Sequence, residues 1–354
     1  MDEFNKKFNS VSVLGEGRYG KVSLVQDNKT YKFFAAKFIN IDIISFRNKK
    51  SITGIQQTIQ EEVNILRKLS DVDNIIKFDS VFFDDRCVII IMEYMNGLDM
   101  IEYKHDFLRN NNNPMNSMNP ISSDLIIHYM TSFCTAMAQV HDRGIIHNDI
   151  KPENILIAGN DLKIIDFGLS FIPYPDNNQI KNINNYNNNH NISIKNINIC
   201  GTPQFFSPEK LDAALNNKLL TIDEYKASDV WAFGITFYLF IHPADEMIDV
   251  IHIDNMDNMK NMGHLLRKYH NNIKKMTIPF TYDDGHKKNS RLIRKIISAS
   301  VFKSSQIRPT FSKLLKILTR YNETNKDQDK DKDDVKNDVK NKDEVKVVVN
   351  SSDE

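Results

Sequence analysis

One stretch constrains this chain more than any other: His147-Asn148-Asp149-Ile150-Lys151-Pro152-Glu153-Asn154, with Asp166-Phe167-Gly168 following after two apolar runs, Ile155 to Ile157 and Leu162 to Ile165. Runs that short, rich in Ile and bounded by polar residues, read as strands. Asp149, Lys151, Asn154 and Asp166 are therefore expected on neighbouring loops that flank a small strand pair.

The rest of the chain divides into two unequal parts. Residues 11 to 39 alternate β-rich runs with a glycine turn, and residues 78 to 95 read as two more strands separated by Asp84, Asp85 and Arg86. Between them Ile59, Val63, Leu66 and Leu69 recur at helical spacing, which puts Glu62 on an amphipathic helix. After Gly97 the pattern turns helical, at Leu125 to His141, Asp229 to His242, Leu292 to Val301 and Phe311 to Thr319. The expected fold class is α+β, a small antiparallel β-sheet lobe with one helix followed by a larger, mainly α-helical lobe. The Asn run at 110 to 113, the Asn-rich segment 177 to 198 and the Lys/Asp/Glu-rich tail are too polar to order themselves by burial.

Composition excludes several classes. The 354 residues carry 46 basic and 46 acidic side chains, so no net field draws the chain to nucleic acid or to an anionic membrane. Cys87, Cys134 and Cys200 have no paired spacing, which argues against a disulfide framework or a Cys-based metal site. An intracellular location, cytoplasmic or nuclear, is expected. The N-terminus has no secretory apolar stretch and carries Asp2 where acylation requires glycine. The most apolar runs, Val88 to Met92 and Trp231 to Ile241, fall short of the roughly 20 residues that membrane insertion requires.

Gly15, Gly17 and Gly20 form G-x-G-x-x-G, followed by Val22. A Rossmann fingerprint needs a helix directly after the glycines, whereas here a strand continues through Gln26. Such glycines remove side chains so that backbone N–H groups can approach phosphate oxygens. Taken alone, Lys37 reads as a strand lysine on a solvated face. Phe34-Ala35-Ala36-Lys37, however, occupies the places of V-A-I-K one hairpin after the glycines.

HNDIKPEN resembles the catalytic loop H-R-D-x-x-x-x-N of protein kinases, and IIDFGLS is similar to the metal-binding element that follows it. Cys200-Gly201-Thr202-Pro203, leading into Ser207-Pro208-Glu209, resembles the end of their activation segment. The segment Ser228 to Gly234 resembles the helix that anchors their catalytic loop, and Arg308 their late arginine, with Glu209 as its expected partner. In this order the motifs resemble a eukaryotic-type, serine/threonine-specific protein kinase domain over residues 11–320, with an N-lobe at 11–95 and a C-lobe at 96–320. Residues 1–10 are then an N-terminal extension, 177–198 an insert in the activation segment, and 321–354 a charged tail.

The resemblance implies ATP and Mg²⁺, or Mn²⁺ in its place, and protein substrates bearing Ser or Thr; it leaves the oligomeric state unknown. It implies that Asp149 orients the substrate hydroxyl and takes its proton, and that Lys151 neutralises the transferring phosphoryl group. Lys37, paired with Glu62, would hold the α- and β-phosphates, and Asn154 and Asp166 would ligate the metal. Val22, Ala35 and Leu156 would enclose adenine, with Met92 as gatekeeper and the backbone of Glu93 to Met95 as hinge. Asp99 matches a ribose contact, and with Glu153 an acidic pair facing a substrate arginine; it reads equally well as a surface aspartate at a helix start. Lys151 and Thr202 favour serine and threonine over tyrosine.

Asn148 stands where many kinases carry an arginine that pairs with a phosphorylated activation segment. Phosphorylation of that segment is therefore not expected to be the principal switch, although Lys163 or another cation can still meet a phosphate. Residues 243 to 290 resemble the family poorly. A nucleotide-binding scaffold without turnover, and transfer to a small molecule, are the rival readings. The intact Lys37, Glu62, Asp149, Asn154 and Asp166 count against the first, and the Gly201 to Glu209 element against the second.

Overall fold

The computed structural model describes residues 1–17, 20–42, 52–84, 86–110, 121–173, 199–242, 262–275 and 284–324, together with Phe280 and Tyr282. The chain opens with a short helix, α1 (Asp2–Lys7), that runs directly into β1 (Phe8–Gly17). Phe4 and Phe8 are four residues apart, and both are buried. With β2 (Gly20–Asp27), β3 (Phe33–Asn40), β4 (Phe78–Phe83) and β5 (Cys87–Glu93), β1 forms an antiparallel sheet of order β1-β2-β3-β5-β4. Along β2, Ser23, Val25 and Asp27 are buried and the residues between them are partly exposed, the alternation of a sheet covered more fully on one face.

What covers that face is the start of the chain. Phe4 and Phe8 pack with Val25, Ala36, Ile89 and Ile91, and Phe4 meets the Phe38 and Phe82 rings edge-on at 5.5 and 5.8 Å. The first ten residues were expected to be an extension ahead of residue 11, but β1 begins at Phe8 and α1 joins the core of the sheet. On the opposite side lies α2 (Ile52–Lys68), whose Ile55, Ile59, Val63 and Leu66 form a buried stripe at helical spacing.

The second lobe starts with β6 (Leu98–Asp99) and α3 (Met100–Asn110). Strand β6 pairs with β7 (Ile155–Ala158), which pairs with β8 (Asp161–Ile164). The helices are α4 (Ser123–Asp142), α5 (Pro208–Asn216), α6 (Ile222–Ile241), α7 (Met262–Lys275), α8 (Lys287–Ser300) and α9 at residues 311–324. From Val230 to Ile241 helix α6 is almost wholly apolar around its circumference and is buried, as such a segment must be. Thr221 and Glu224 start it with a reciprocal capping box. Helix α7 is held by buried Tyr269 and Ile273.

One apolar cluster joins the lobes, from Ile59, Val63 and Leu66 through Ile75, Ile164 and Phe167 to Trp231. The Asn74 carbonyl accepts from Ile164 N–H at 2.8 Å, and the Ile164 carbonyl accepts from Ile76 N–H at 3.0 Å. Arg143, just after α4, grips Asp71 with two guanidinium nitrogens at 2.6 and 2.9 Å. The Asn-rich insert at 177–198 lies outside the described residues, as does the tail from 325; Tyr321 at its expected start still belongs to α9 and packs on the core. Among the described residues no helix is long and apolar enough to cross a membrane.

If α1 is part of the sheet's core, Phe4→Ala removes a buried ring and lowers unfolding stability by about 3 kcal/mol, the cost of a large-to-small core substitution. Urea denaturation followed by far-UV circular dichroism measures it; a midpoint equal to that of wild type contradicts the packing role.

Candidate active site

Lys37 is placed by β3. Val22 lies directly opposite it in the β2–β3 ladder and Ala35 two residues before it, so all three project from one face of the sheet. On that face Lys37 Nζ donates to Glu62 Oε1 at 2.7 Å and to Asp166 Oδ1 at 2.8 Å. Burial opposes the lysine's charge, but the two carboxylates outweigh it and raise the pKa above the usual lysine value. Lys37 in turn holds the Asp166 carboxyl down at about 2, against the opposing effect of burial. Gly168 allows this closure, since a Cβ there would sit 3.1 Å from Asp166 Oδ1 and 3.2 Å from Lys37 Nζ.

The catalytic-loop sequence is held from below by α6. Asp229, buried on that helix, accepts from the backbone N–H of His147 and of Asn148, each at 2.9 Å, and from His141 Nε2 at 3.0 Å. Burial alone would raise its pKa; the bond and charge of His141 and the bond from His147 hold it below the usual value instead. His147 is fully buried against the Phe167 ring, and burial lowers its pKa, so the imidazole is neutral at pH 7. With its N–H groups fixed, the loop places Asn148 at φ 69°, a left-handed conformation that asparagine tolerates, and Asp149 follows.

Asp149 is 8% exposed and ringed by donors. Its Oδ1 accepts from Thr202 N–H and from Thr202 Oγ1, both at 2.8 Å, and its Oδ2 faces Lys151 Nζ at 3.2 Å and Asn154 Nδ2 at 3.3 Å. Lys151 also donates to Thr202 Oγ1 at 3.1 Å. Ile165 N–H donates to the Asn154 carbonyl at 2.9 Å, so the loops carrying Asn154 and Asp166 are tied together.

The remaining expected residues surround this centre. Gly15, Gly17 and Gly20 lie where β1 turns into β2, whose tip, residues 18 and 19, is outside the described residues. Met92 pairs with Ala35 across β5 and β3, and the segment from Glu93 to Met95 leads out of the sheet toward the second lobe. The Glu93 side chain accepts from Lys77 N–H at 2.7 Å and from Lys163 Nζ, so Lys163 is committed to this connection. Leu156, on β7, pairs with Asp99. Asp99 Oδ1 accepts from the N–H groups of Ile101 and Glu102, each at 2.9 Å, which is the helix-start role. Glu153 is exposed on the turn Pro152–Asn154. Arg308 clamps Glu209 with bonds of 2.6 and 3.2 Å, with its guanidinium over the Trp231 ring.

Lys210 is the residue that sequence reasoning missed. It is buried on α5, and its Nζ donates to Asn148 Oδ1 at 2.6 Å and to the Asn148 carbonyl at 3.1 Å. Nothing in the sequence distinguishes it from a surface lysine in the first turn of a helix except the uncharged Asn148 that it contacts.

The family model described as the protein kinase domain matches residues 8–318. The chain belongs to the protein kinase domain family. Among its relatives, a probable serine/threonine-protein kinase of Dictyostelium discoideum is 33% identical over 243 residues, 66% of this chain and 46% of the relative. A serine/threonine-protein kinase of Saccharomyces cerevisiae is 29% identical over 237 residues, 67% of this chain and 19% of the relative. The ovarian-specific serine/threonine-protein kinase Lok of Drosophila melanogaster is 28% identical over 241 residues, 67% of this chain and 44% of the relative. The match thus spans less than half the length of each of these kinases. In kinase terms, the two lobes are in place, and Lys37 bridges Glu62 and Asp166.

The Asp166–Lys37 contact has a pH signature. The folded-state pKa of Asp166, about 2, lies below the unfolded value of about 3.9, so its stabilisation is present above pH 4 and is lost as pH falls toward 2. Thermal melts of Asp166→Asn between pH 5 and 2 should therefore lose stability less steeply than wild type. An identical slope would show that the contact contributes nothing in solution, where solvent reaches a carboxylate that is 45% exposed.

Proposed function

We propose that the chain is an ATP-dependent protein serine/threonine kinase, transferring the γ-phosphoryl group of ATP to Ser and Thr hydroxyls of protein substrates. The observation that carries this reading is the closed set of Lys37, Glu62 and Asp166 facing an Asp149 already hydrogen-bonded to a threonine hydroxyl. An arrangement in which Lys37 pointed elsewhere, or Asp149 faced only solvent, would favour a binding scaffold.

Phosphoryl transfer demands alignment and charge cancellation more than covalent chemistry. The substrate oxygen forms a bond to the γ-phosphorus as the bond to the ADP oxygen breaks, and the hydroxyl proton passes to Asp149. The Asp149 carboxylate, anchored by Thr202, Asn154 and Lys151, is held in one orientation for this. Lys151 stands beside it as the cation for the transferring group. Lys37 carries a permanent charge toward the nucleotide phosphates, and Glu62 fixes its direction. Val22, Ala35 and Leu156, each partly exposed, are the adenine contacts, and the Glu93–Met95 backbone is the hinge.

The kinase family uses Mg²⁺ with ATP, and the donor set here suits it. Asp166 and Asn154 offer hard oxygens from two loops tied by a backbone hydrogen bond. Among the described residues no larger cluster of acidic, His or Cys side chains could cage a metal. Magnesium is typically held by one or two carboxylates plus phosphates, so two protein donors suffice. When bound, the ion neutralises phosphate charge; Mn²⁺ satisfies the same oxygen donors.

Incubation with labelled ATP, Mg²⁺ and a Ser/Thr peptide library tests the reading. Lys37→Met and Asp149→Asn should each reduce transfer at least about 10²-fold, the scale of losing one preorganised electrostatic group. Near-wild-type turnover by either purified variant refutes the assigned roles. Because Asn148 brings no charge and is already occupied by Lys210, phosphatase-treated enzyme should keep most of its activity, with phosphate removal checked by mass spectrometry. Loss of activity that returns on rephosphorylation of the segment between Asp166 and Glu209 would contradict it.

A further inference from the structure

Lys210 is a buried charge of the second lobe. It is 3% exposed, yet among the described residues no carboxylate lies within ion-pair distance of its ammonium. Burial lowers its pKa, against the opposing charges of Cys200, Asp229, Asp149 and Glu209 farther off. Arg308 in the same lobe is matched by Glu209 at 2.6 Å, and Lys37 by two carboxylates. A buried ammonium held only by neutral groups is costly, and a leucine or methionine would fill the space at a lower cost.

Its contacts suggest what offsets that cost. Both oxygens of Asn148 accept from Lys210, and the Phe206 ring lies 4.6 Å from Nζ, within cation–π range. The opposite end of the Asn148 amide donates to the Leu169 carbonyl at 3.2 Å and to Cys200 Sγ at 3.0 Å. Asn148 thereby joins the two ends of the activation segment, and Lys210 fixes the amide orientation that makes both bonds. Gly201 passes so close that a Cβ there would sit 3.2 Å from Lys210 Nζ and 2.7 Å from the Asn148 carbonyl. The next residue, Thr202, makes both bonds to Asp149 Oδ1.

We propose that Lys210 is a positioning residue for phosphoryl transfer: a fixed internal cation on α5 that locks Asn148 and, through it, seats the Cys200–Thr202 end of the activation segment on the catalytic aspartate. The proposal rests on the kinase reading and adds the means by which that segment is held. The charge is part of the folded chain, so the lock requires no anion added to the segment. Lys210 touches neither Asp149 nor the cleft-facing triad, which separates its effect from nucleotide binding.

The test compares wild type with Lys210→Met and Lys210→Gln in the full chain. Three quantities are read: steady-state kinetics with the best library peptide, affinity for a fluorescent ATP analogue, and amide hydrogen exchange across residues 199–207. For Lys210→Met, kcat should fall about 10-fold or more, as expected when a reacting group is misplaced, while affinity for the ATP analogue changes less than about twofold. Exchange at Gly201 and Thr202 should become faster. Lys210→Gln, which keeps an uncharged donor on a side chain one bond shorter, should recover part of both losses, and it carries the test if the methionine variant does not fold. Unchanged kcat with unchanged exchange overturns the proposal. So does a parallel loss of kcat, nucleotide affinity and melting temperature in both variants, which would make Lys210 merely structural. A wild-type chain that binds nucleotide but phosphorylates no peptide would sink the kinase reading instead; the exchange measurement would still decide whether Lys210 holds the segment.

Discussion

The carboxylate of Asp229 is the contact on which the chemistry of the second lobe rests. Three donors converge on it, two of them backbone N–H groups of consecutive residues, His147 and Asn148. Such convergence keeps a buried carboxylate ionised in spite of its desolvation. Because it binds main chain, the loop's path is specified independently of side chains, and Asn148 is forced into the left-handed region just before Asp149. Asp229 itself cannot drift, since it projects from a helix packed on all sides. The position of Asp149 is in this sense inherited from the hydrophobic effect acting on α6.

The buried charges around this anchor follow different rules. Lys37 shares two carboxylates from different elements, α2 and the start of the activation segment, so its pairing reports whether both are in place. Arg308 has Glu209 and backbone carbonyls as partners, a saturated arrangement suited to joining distant parts of the chain. Lys210 is satisfied by dipoles and a ring, which are weaker and more directional than an ion pair. Its geometry is correspondingly more demanding of its neighbours.

Much of this was legible in the sequence. The five strands, α2 and the long helices α4 and α6 follow from period-two and helical patterning, because one face of each is buried or, in α6, all of it. Lys37, Glu62, Asn154 and Asp166 stand out by motif order, and in the structure Lys37 bonds both Glu62 and Asp166 while a backbone bond ties the loops of Asn154 and Asp166. Legibility failed where burial depends on distant partners. Phe4 and Phe8 look like isolated apolar residues in a polar N-terminus, and only the sheet face they cover explains them. Asp99 carries two equal readings in the sequence, and its bonds to Ile101 and Glu102 add the helix-start contact, which depends on a turn the sequence alone does not draw. Lys210 is invisible in sequence, since its significance arises across 62 residues of separation from Asn148.

The lobes are joined by main-chain bonds as well as by side chains. The Glu93–Met95 connection is covalent, whereas the Asn74–Ile76 segment is laced to β8 by reciprocal backbone hydrogen bonds with Ile164. Separating the lobes there would break main-chain hydrogen bonds, which no side-chain substitution removes.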